Sequence, residues 1–502
     1  MRARFTLSFF MPLAAIGALV PMASCSTSQT SSPGPADADT RPPTPPEWDR
    51  AVTRPDDATA VSSRTSCKFA RGAMPAETLG TGTRVDKDMP IETIVVLMME
   101  NHSFDNYFGH LNQYAGRTDI ESAPDTAANP TQVGATPGAL HAWKHASHVC
   151  NLDTNHEWDG SHLEYDDGKN DGFFQANDNW DDKALPSTAP RDALSGDRAM
   201  GWYDERELPF YYKLASTFAI ADHYHCSLLG PTWPNRMYLT AATSFGMTTN
   251  GFPDLTPYMP FPDAKDATVL DELERRHVSW SVYADGPPGL GVVYGAAGAK
   301  RWGRTPNVSI ATLFQDAAAG ALPQVVFIDP TLGSEGPTAN DEHPPSQIQI
   351  GQKFTSDVVH ALMKSPQWSK MALFITWDEN GGYYDHVPPP PACKPDDNAP
   401  ILAGGEKAPG GFDRLGFRVP LVVVSPYAKK SYVGHAIYDH TSIARFIEAK
   451  FKIPALTGRD ANADIPTDLF DFDHPAFATP PDIAEPTVDQ AELDYCKATF
   501  TR

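Results

Sequence analysis

A chain of 502 residues, 41% of them apolar, is long enough to bury a large core. Its formal charge of −23 argues against nucleic acid and other polyanions as partners, and more weakly against strongly anionic membranes. The 47 prolines point to many loops and a long extended segment.

In chain order, residues 1–25 read as an export signal. Arg2 and Arg4 supply the positive start, and Phe5–Ala23 supplies an apolar run too short and Pro-interrupted for a permanent span. Met22-Ala23-Ser24-Cys25 is similar to a bacterial lipobox, which predicts lipidation of Cys25; plain cleavage nearby is the alternative. The expected location is a periplasmic or cell-surface lipoprotein, or a secreted protein. Loss of Arg2 and Arg4 would take the net charge from −23 to −25. Residues 26–84 begin with a stretch rich in Ser, Thr, Pro, Asp and Ala and are read as a flexible tether. The folded domain is expected over 85–475, followed by a Pro-rich tail, 476–502, whose Cys496 could bridge back. With Cys25 set aside, five cysteines remain. An exported chain favours disulfides, and Cys226, in an apolar context, is read as the free one, while the pairing of the others stays open.

Within the domain, apolar runs predict strands at Ile94–Met99, Ser279–Tyr283, Val325–Ile328, Ala372–Trp377 and Leu421–Val424. Helical periodicity is present over Val269–Arg276, Ile310–Ala319, Gln347–Met363 and Thr441–Phe451. The alternation predicts an α/β fold, with a mainly parallel sheet covered by helices on both faces. Residues 110–210 are polar, rich in aromatics and loop-like, and are read as a long insertion over the site.

Two strand predictions end in the same way. The run through Met99 stops at Glu100-Asn101, and the run through Trp377 stops at Asp378-Glu379. Ligands of open α/β sheets collect at the carboxyl ends of strands, so these oxygen donors could converge on one divalent metal. Thr232, in Gly-Pro-Thr-Trp-Pro-Asn-Arg, lies just before an expected helix; a hydroxyl in that field suits a nucleophile, or else serves as an N-cap. His156 and His343 sit among Asp, Asn and Glu neighbours that can orient an imidazole and stabilise its cation. His386 and His440 read as surface or capping residues, with Asp439 as a helix cap.

Together, ENHSFDNYFG, TWPNR, NDEHP and TWDENGGYYDHVPPP resemble the bacterial phospholipase C and acid phosphatase family, with the plant non-specific phospholipases C, in the alkaline-phosphatase-like superfamily. The resemblance covers about residues 90–450. It implies an alkaline-phosphatase-like fold with loop-rich insertions and hydrolysis of phosphoesters. It also implies Thr232 as the nucleophile, a metal shell of Glu100, Asn101, Thr232, Asp378 and Glu379, and phosphate-facing His156 and His343. An oxygen-only shell suits Ca²⁺, Mg²⁺ or Mn²⁺. His343, with His156 second, would protonate the leaving oxygen. Many relatives carry Arg where this chain has His102, and plant relatives carry His where it has Asn380. The expected substrate is a phospholipid met through peripheral membrane contact, with zwitterionic head groups preferred. The alternatives are a broad acid phosphatase on soluble monoesters and a non-catalytic surface lipoprotein on the same fold. Trp158, Tyr165, Phe173, Phe174, Trp180, Trp202 and Tyr203 either pack the insertion or contribute to a choline cage. Oligomeric state has no sequence signal here.

Overall fold

Thr93–Met99 (β1) is buried along its whole length, as a strand covered on both faces must be. It lies inside an eight-stranded sheet seen in a computed structural model, which describes residues 43–134, 138–180, 188–250, 268–286, 294, 307–333, 336–402 and 405–501. The other strands are Ala219–Ala221 (β2), Trp280–Tyr283 (β3), Asn307–Val308 (β4), Val325–Ile328 (β5), Met371–Trp377 (β6), Leu421–Val424 (β7) and Tyr432–Gly434 (β8). Their spatial order is β8-β2-β7-β6-β1-β5-β3-β4. Only β7 runs against its neighbours, β6 and β2; every other pairing in this sheet is parallel. This is the mainly parallel α/β sheet that the sequence predicts.

Side chains of a strand alternate between faces, and both faces of β1 are covered. Val96 and Met98 share a small cavity with Met237, Leu239 and Thr240 of the helix Thr232–Ala241. Met99, on the opposite face, accepts a contact from Thr355 of the helix Ile348–Met363. The Thr232 helix packs with Val269–Arg275 and His440–Phe451, and Ile348–Met363 packs with Ile310–Ala319 and Pro209–Thr217. Among the described residues no helix is long and apolar enough to cross a membrane.

Register then sets the site. Met99 pairs with Trp377, so Glu100 and Asp378 leave the sheet side by side. Leu97 pairs with Ile328, which brings Asp329 to the same edge.

Two readings of the sequence change. The expected signal peptide, Cys25 and the tether as far as residue 42 lie outside the described residues, but the tether reading is corrected over 43–84. Trp48 is buried with its ring under Arg276, Asp57–Thr65 is a helix capped by Asp56, and Cys67 is bonded to Cys393. These anchors bind a stretch whose composition alone reads as unfolded. The tail 476–502 likewise buries Phe477, Ile483 and Phe500, and its helix Gln490–Phe500 is bridged by Cys150–Cys496, leaving Cys226 as the buried free thiol. Of the two readings of the aromatic residues, packing is the one that several of them follow. Trp158 packs with Leu228, Tyr238 and Phe412; Phe173 packs with Tyr384 and Phe417; Tyr203 lies in the main core; and Tyr165 already carries Arg414 over its ring.

Cys150–Cys496 closes a loop of sequence separation 346, so its loss should free the unfolded chain considerably. The double variant Cys150→Ser/Cys496→Ser is expected to lose about 2–4 kcal/mol, read from the urea midpoint under oxidising conditions. A midpoint equal to wild type would contradict this.

Candidate active site

The two acidic strand ends meet through their own side chains. Asn101 donates its backbone N–H to Asp378 Oδ1 at 3.3 Å and its Nδ2 to Glu379 Oε1 at 2.7 Å. Glu379 N–H also donates to Asp378 Oδ1, at 2.8 Å, and Glu379 Oε2 accepts from Gly381 N–H. Glu100, Asn101, Asp378 and Glu379 are all buried. This closeness needs the Gly381-Gly382 turn, where φ is +62° and +73°. A Cβ on Gly381 would overlap the Asn101 backbone, and one on Gly382 would lie 2.9 Å from Asn155 N. Asn101 itself holds a left-handed φ of +64°, a conformation Asn tolerates better than most residues.

The helix Thr232–Ala241 reaches the cluster from one side. Pro231 is its N-cap, so Thr232 is the first helical residue and the reading of it as an N-cap does not hold. Asn235 accepts from Ser227 and Leu228 N–H at 2.9 and 3.1 Å and donates to Gly230 O at 2.8 Å, which fixes the loop leading into Thr232. Arg236 lies one turn beyond Thr232 on the same helix face. Its guanidinium meets Asp378 Oδ2 at 2.9 Å, Asp329 Oδ1 at 3.2 Å and Glu100 Oε1 at 3.6 Å, and donates to Met99 O at 3.0 Å. Thr232 is thus carried on the face that points to the acidic edge.

The histidines arrive on two loops. His156 Nδ1 faces Thr154 O at 2.7 Å, and His343 Nδ1 faces Pro344 O at 2.6 Å. A carbonyl can only accept, so both rings carry a proton on Nδ1; Asn101 Nδ2 lies beside the His156 ring, 3.4 Å from Nδ1. His156 Nε2 lies 3.5 Å from Asn101 Nδ2, His343 Nε2 lies 3.8 Å from Asp153 Oδ2, and the two rings are 5.7 Å apart. Asp153, His156 and His343 offer ligand atoms within 4.8 Å of one another. Asp341 joins this group, accepting from His343 N–H at 3.1 Å through its side chain and from Glu100 N–H at 3.0 Å through its carbonyl.

Glu100, Asn101, Asp378, Glu379, His156 and His343 therefore come to one edge of the sheet, and Thr232 stands one turn before Arg236 on the helix that meets it. Arg236, Asp329, Asp153 and Asp341 were not singled out from the sequence. Arg236 and Asp341 stand inside the quoted motifs, Asp329 follows the predicted strand Val325–Ile328 as Glu100 and Asp378 follow theirs, and Asp153 is one of the acids beside His156, so each carries a local signal. Three further histidines make buried or half-buried contacts. His440 Nε2 donates to Asp378 O at 2.7 Å while its Nδ1 accepts from Tyr224 Oη at 2.9 Å, a positioning contact that the capping reading missed. His386 bonds Asp105 at 2.6 Å beside the buried Arg418. His102 stacks on Tyr107 at 4.0 Å, and burial lowers its pKa to about 3, which leaves a neutral ring.

Electrostatically the edge is short of positive charge. Burial, then Asp378 and Asp341, pushes Glu100 up to about 8 against the pull of Arg236. Burial and Asp378 also raise Glu379 well above the usual carboxylate range, and burial lifts Asp341 to about 6. One guanidinium cannot neutralise the three carboxylates it pairs with. Asn101 Oδ1 and Asp341 Oδ2 are buried with no hydrogen-bond partner among the described residues. Hard oxygen donors, uncompensated charge and orphaned oxygens together fit a divalent cation.

The model of the Phosphoesterase family matches residues 91–454. Phospholipase C B of Mycobacterium tuberculosis is 32% identical over 488 residues, covering 87% of this chain and 88% of the relative. Non-specific phospholipase C1 of Arabidopsis thaliana is 31% identical over 391 residues, covering 74% and 69%. Among solved structures, an alkaline phosphatase superfamily protein from Vibrio parahaemolyticus is similar at a TM-score of 0.34 and 11% identity, covering 78% of this chain and 92% of that one, a likeness too distant to argue from.

Proposed function

The chain belongs to the phosphoesterase family and is a phosphoric ester hydrolase of phospholipase C type, and from that premise we propose a cation-dependent cleavage of zwitterionic phospholipid through Thr232. The supporting observation is the convergence of Glu100-Asn101 and Asp378-Glu379 at one sheet edge, facing the helix that carries Thr232 and Arg236. Glu100, Asn101, Asp378 and Glu379 would hold the cation together with the Thr232 oxygen. When bound there, a divalent cation supplies a Lewis acid that polarises a phosphoryl oxygen and lowers the pKa of a hydroxyl.

Thr232 Oγ, at the start of its helix, releases its proton to solvent and bonds to phosphorus; the bond from phosphorus to the diacylglycerol oxygen breaks. His343, protonated on Nε2 and facing the Asp153 carboxylate, gives that proton to the departing oxygen. In the second half, His343 takes a proton from water as the water oxygen attacks phosphorus. The phosphorylated head group leaves, and Thr232 regains a proton from solvent. His156, as its cation, and the Nδ2 hydrogen of Asn101 not given to Glu379 would hold the phosphoryl oxygens. We further infer export of the chain, with lipid met at the envelope by peripheral contact. The net charge of −23 favours phosphatidylcholine and phosphatidylethanolamine over anionic lipids.

One observation favours the soluble-monoester alternative: Trp158, Phe173, Tyr165 and Trp202 of the insertion are packed into apolar clusters. The deciding experiment compares kcat/KM on phosphatidylcholine in mixed micelles with kcat/KM on p-nitrophenyl phosphate at moderate salt. The micellar lipid is expected to win by about tenfold or more. A far higher value on the monoester would establish the acid phosphatase instead.

A further inference from the structure

Between Asp341 and His343 stands a residue that the mechanism above does not use. Glu342 points away from the site, and its carboxyl group is fully enclosed. Oε1 accepts from Tyr211 Oη at 2.7 Å; Oε2 accepts from Tyr107 Oη at 2.9 Å and Trp377 Nε1 at 2.8 Å. Tyr211 Oη is steadied in turn by Thr355 Oγ1 at 2.9 Å, and Tyr107 and Tyr211 both pack against the Trp377 ring. The backbone carbonyl of Glu342 is packed against the His102 ring, with Nε2 3.2 Å away. On the far side, the helix Ile348–Met363 carries Gly351, where a Cβ would overlap the Glu342 side chain.

The clamp coincides with an unusual conformation. Glu342 has a φ of +76°, a left-handed value that L residues with long side chains rarely adopt. Strained backbone of this kind persists only where surrounding contacts over-determine it. Here the effect is directional: with Glu342 turned inward, Asp341 and His343 are both turned toward the acidic edge. His343 then has Nδ1 on its neighbour's carbonyl and Nε2 toward Asp153.

We propose that Glu342 is a positioning residue for the leaving-group proton: its three-donor clamp holds the left-handed turn that presents His343. The proposal rests on the reading of His343 as the acid. Misplacing an acid by about 1 Å can cost as much as a hundredfold in rate, while substrate binding through other groups is left in place.

The test uses the full chain and a series of aryl phosphocholine diesters whose leaving phenols run from acidic nitrophenol to unsubstituted phenol. An acidic phenol departs without help and a basic one needs the proton, so the slope of log kcat against phenol pKa reports proton donation. The wild-type slope is expected to be shallow and the His343→Ala slope steep. Glu342→Gln should steepen toward His343→Ala, widening the nitrophenol-to-phenol gap about tenfold or more with KM changed by less than about threefold. Should Glu342→Gln fail to give a cooperative melt, Tyr211→Phe, which removes one donor to the same carboxyl group, is expected to steepen the slope in the same sense. A Glu342→Gln, or in its place a Tyr211→Phe, whose slope stays shallow while His343→Ala is steep overturns the positioning role alone. A shallow slope in His343→Ala overturns the acid assignment and the present proposal with it.

Discussion

Thr232→Val is expected to abolish turnover, with kcat falling by about a thousandfold or more, while the melting temperature stays near that of the wild type. Valine matches threonine in shape, so the buried first turn of the helix Thr232–Ala241 keeps its packing. No cap is lost either, because Pro231 and not Thr232 is the N-cap. What is lost is the oxygen that would bond to phosphorus. Thr232→Ser, which restores a hydroxyl at the same place, should recover part of the rate. A valine variant keeping more than about a tenth of wild-type kcat on phosphatidylcholine micelles would remove Thr232 from the chemistry, since losing a covalent nucleophile costs far more than that.

The two acidic strand ends were readable because an apolar run that stops at a carboxylate is a local signal. Thr93–Met99 and Met371–Trp377 are both preceded and followed by polar residues, and both are buried throughout. Their register is not local. That Met99 faces Trp377 follows from the whole sheet, and only this pairing shows Glu100 beside Asp378 and Asp329 one strand away. Ala219–Ala221, Asn307–Val308 and Tyr432–Gly434 are two or three residues long, too short to leave a periodic pattern. Arg236 could have been suspected from the charge balance, because buried carboxylates need a partner and the motif TWPNR holds a cation four residues after Thr232. Asp153 could have been suspected as an acid beside His156, but nothing local says that this loop also brings it to His343. The misjudged segment 43–84 shows the limit of composition: one tryptophan under Arg276 and one cysteine bonded to Cys393 attach it to the domain.

Stripping divalent cations should make the protein's stability fall steeply with rising pH, and restoring a cation should flatten that fall. The sign follows from the carboxyls at the sheet edge. Glu100 is raised from an ordinary 4.5 to about 8, and Glu379 is raised well above the same starting value, in both cases by burial first and then by Asp378. The folded, cation-free protein therefore holds protons that the unfolded chain has released. The stability this supplies is fully present below about pH 4.5 and is lost as pH rises toward about 8. A cation held by Glu100, Asn101, Asp378 and Glu379 displaces those protons and adds its own binding free energy, more so at higher pH. Glu342 and Glu272, also lifted to about 8, chiefly by burial, titrate in the same window. They lie outside the proposed cation shell, so the informative quantity is the difference between melts with EDTA and melts with excess Ca²⁺, Mg²⁺ or Mn²⁺. That difference should be small near pH 5 and reach about 5 °C or more near pH 8. Asp378→Ala should shrink the difference and lower the metal content measured by elemental analysis, with activity falling in step. Glu100→Ala, which removes one of the facing carboxylates and leaves the 2.9 Å contact between Arg236 and Asp378 in place, should raise the melting temperature of the cation-free protein near pH 8. A difference that does not change between pH 5 and pH 8, in a protein shown to be metal-free and fully active, would mean that the acidic edge does not hold a cation.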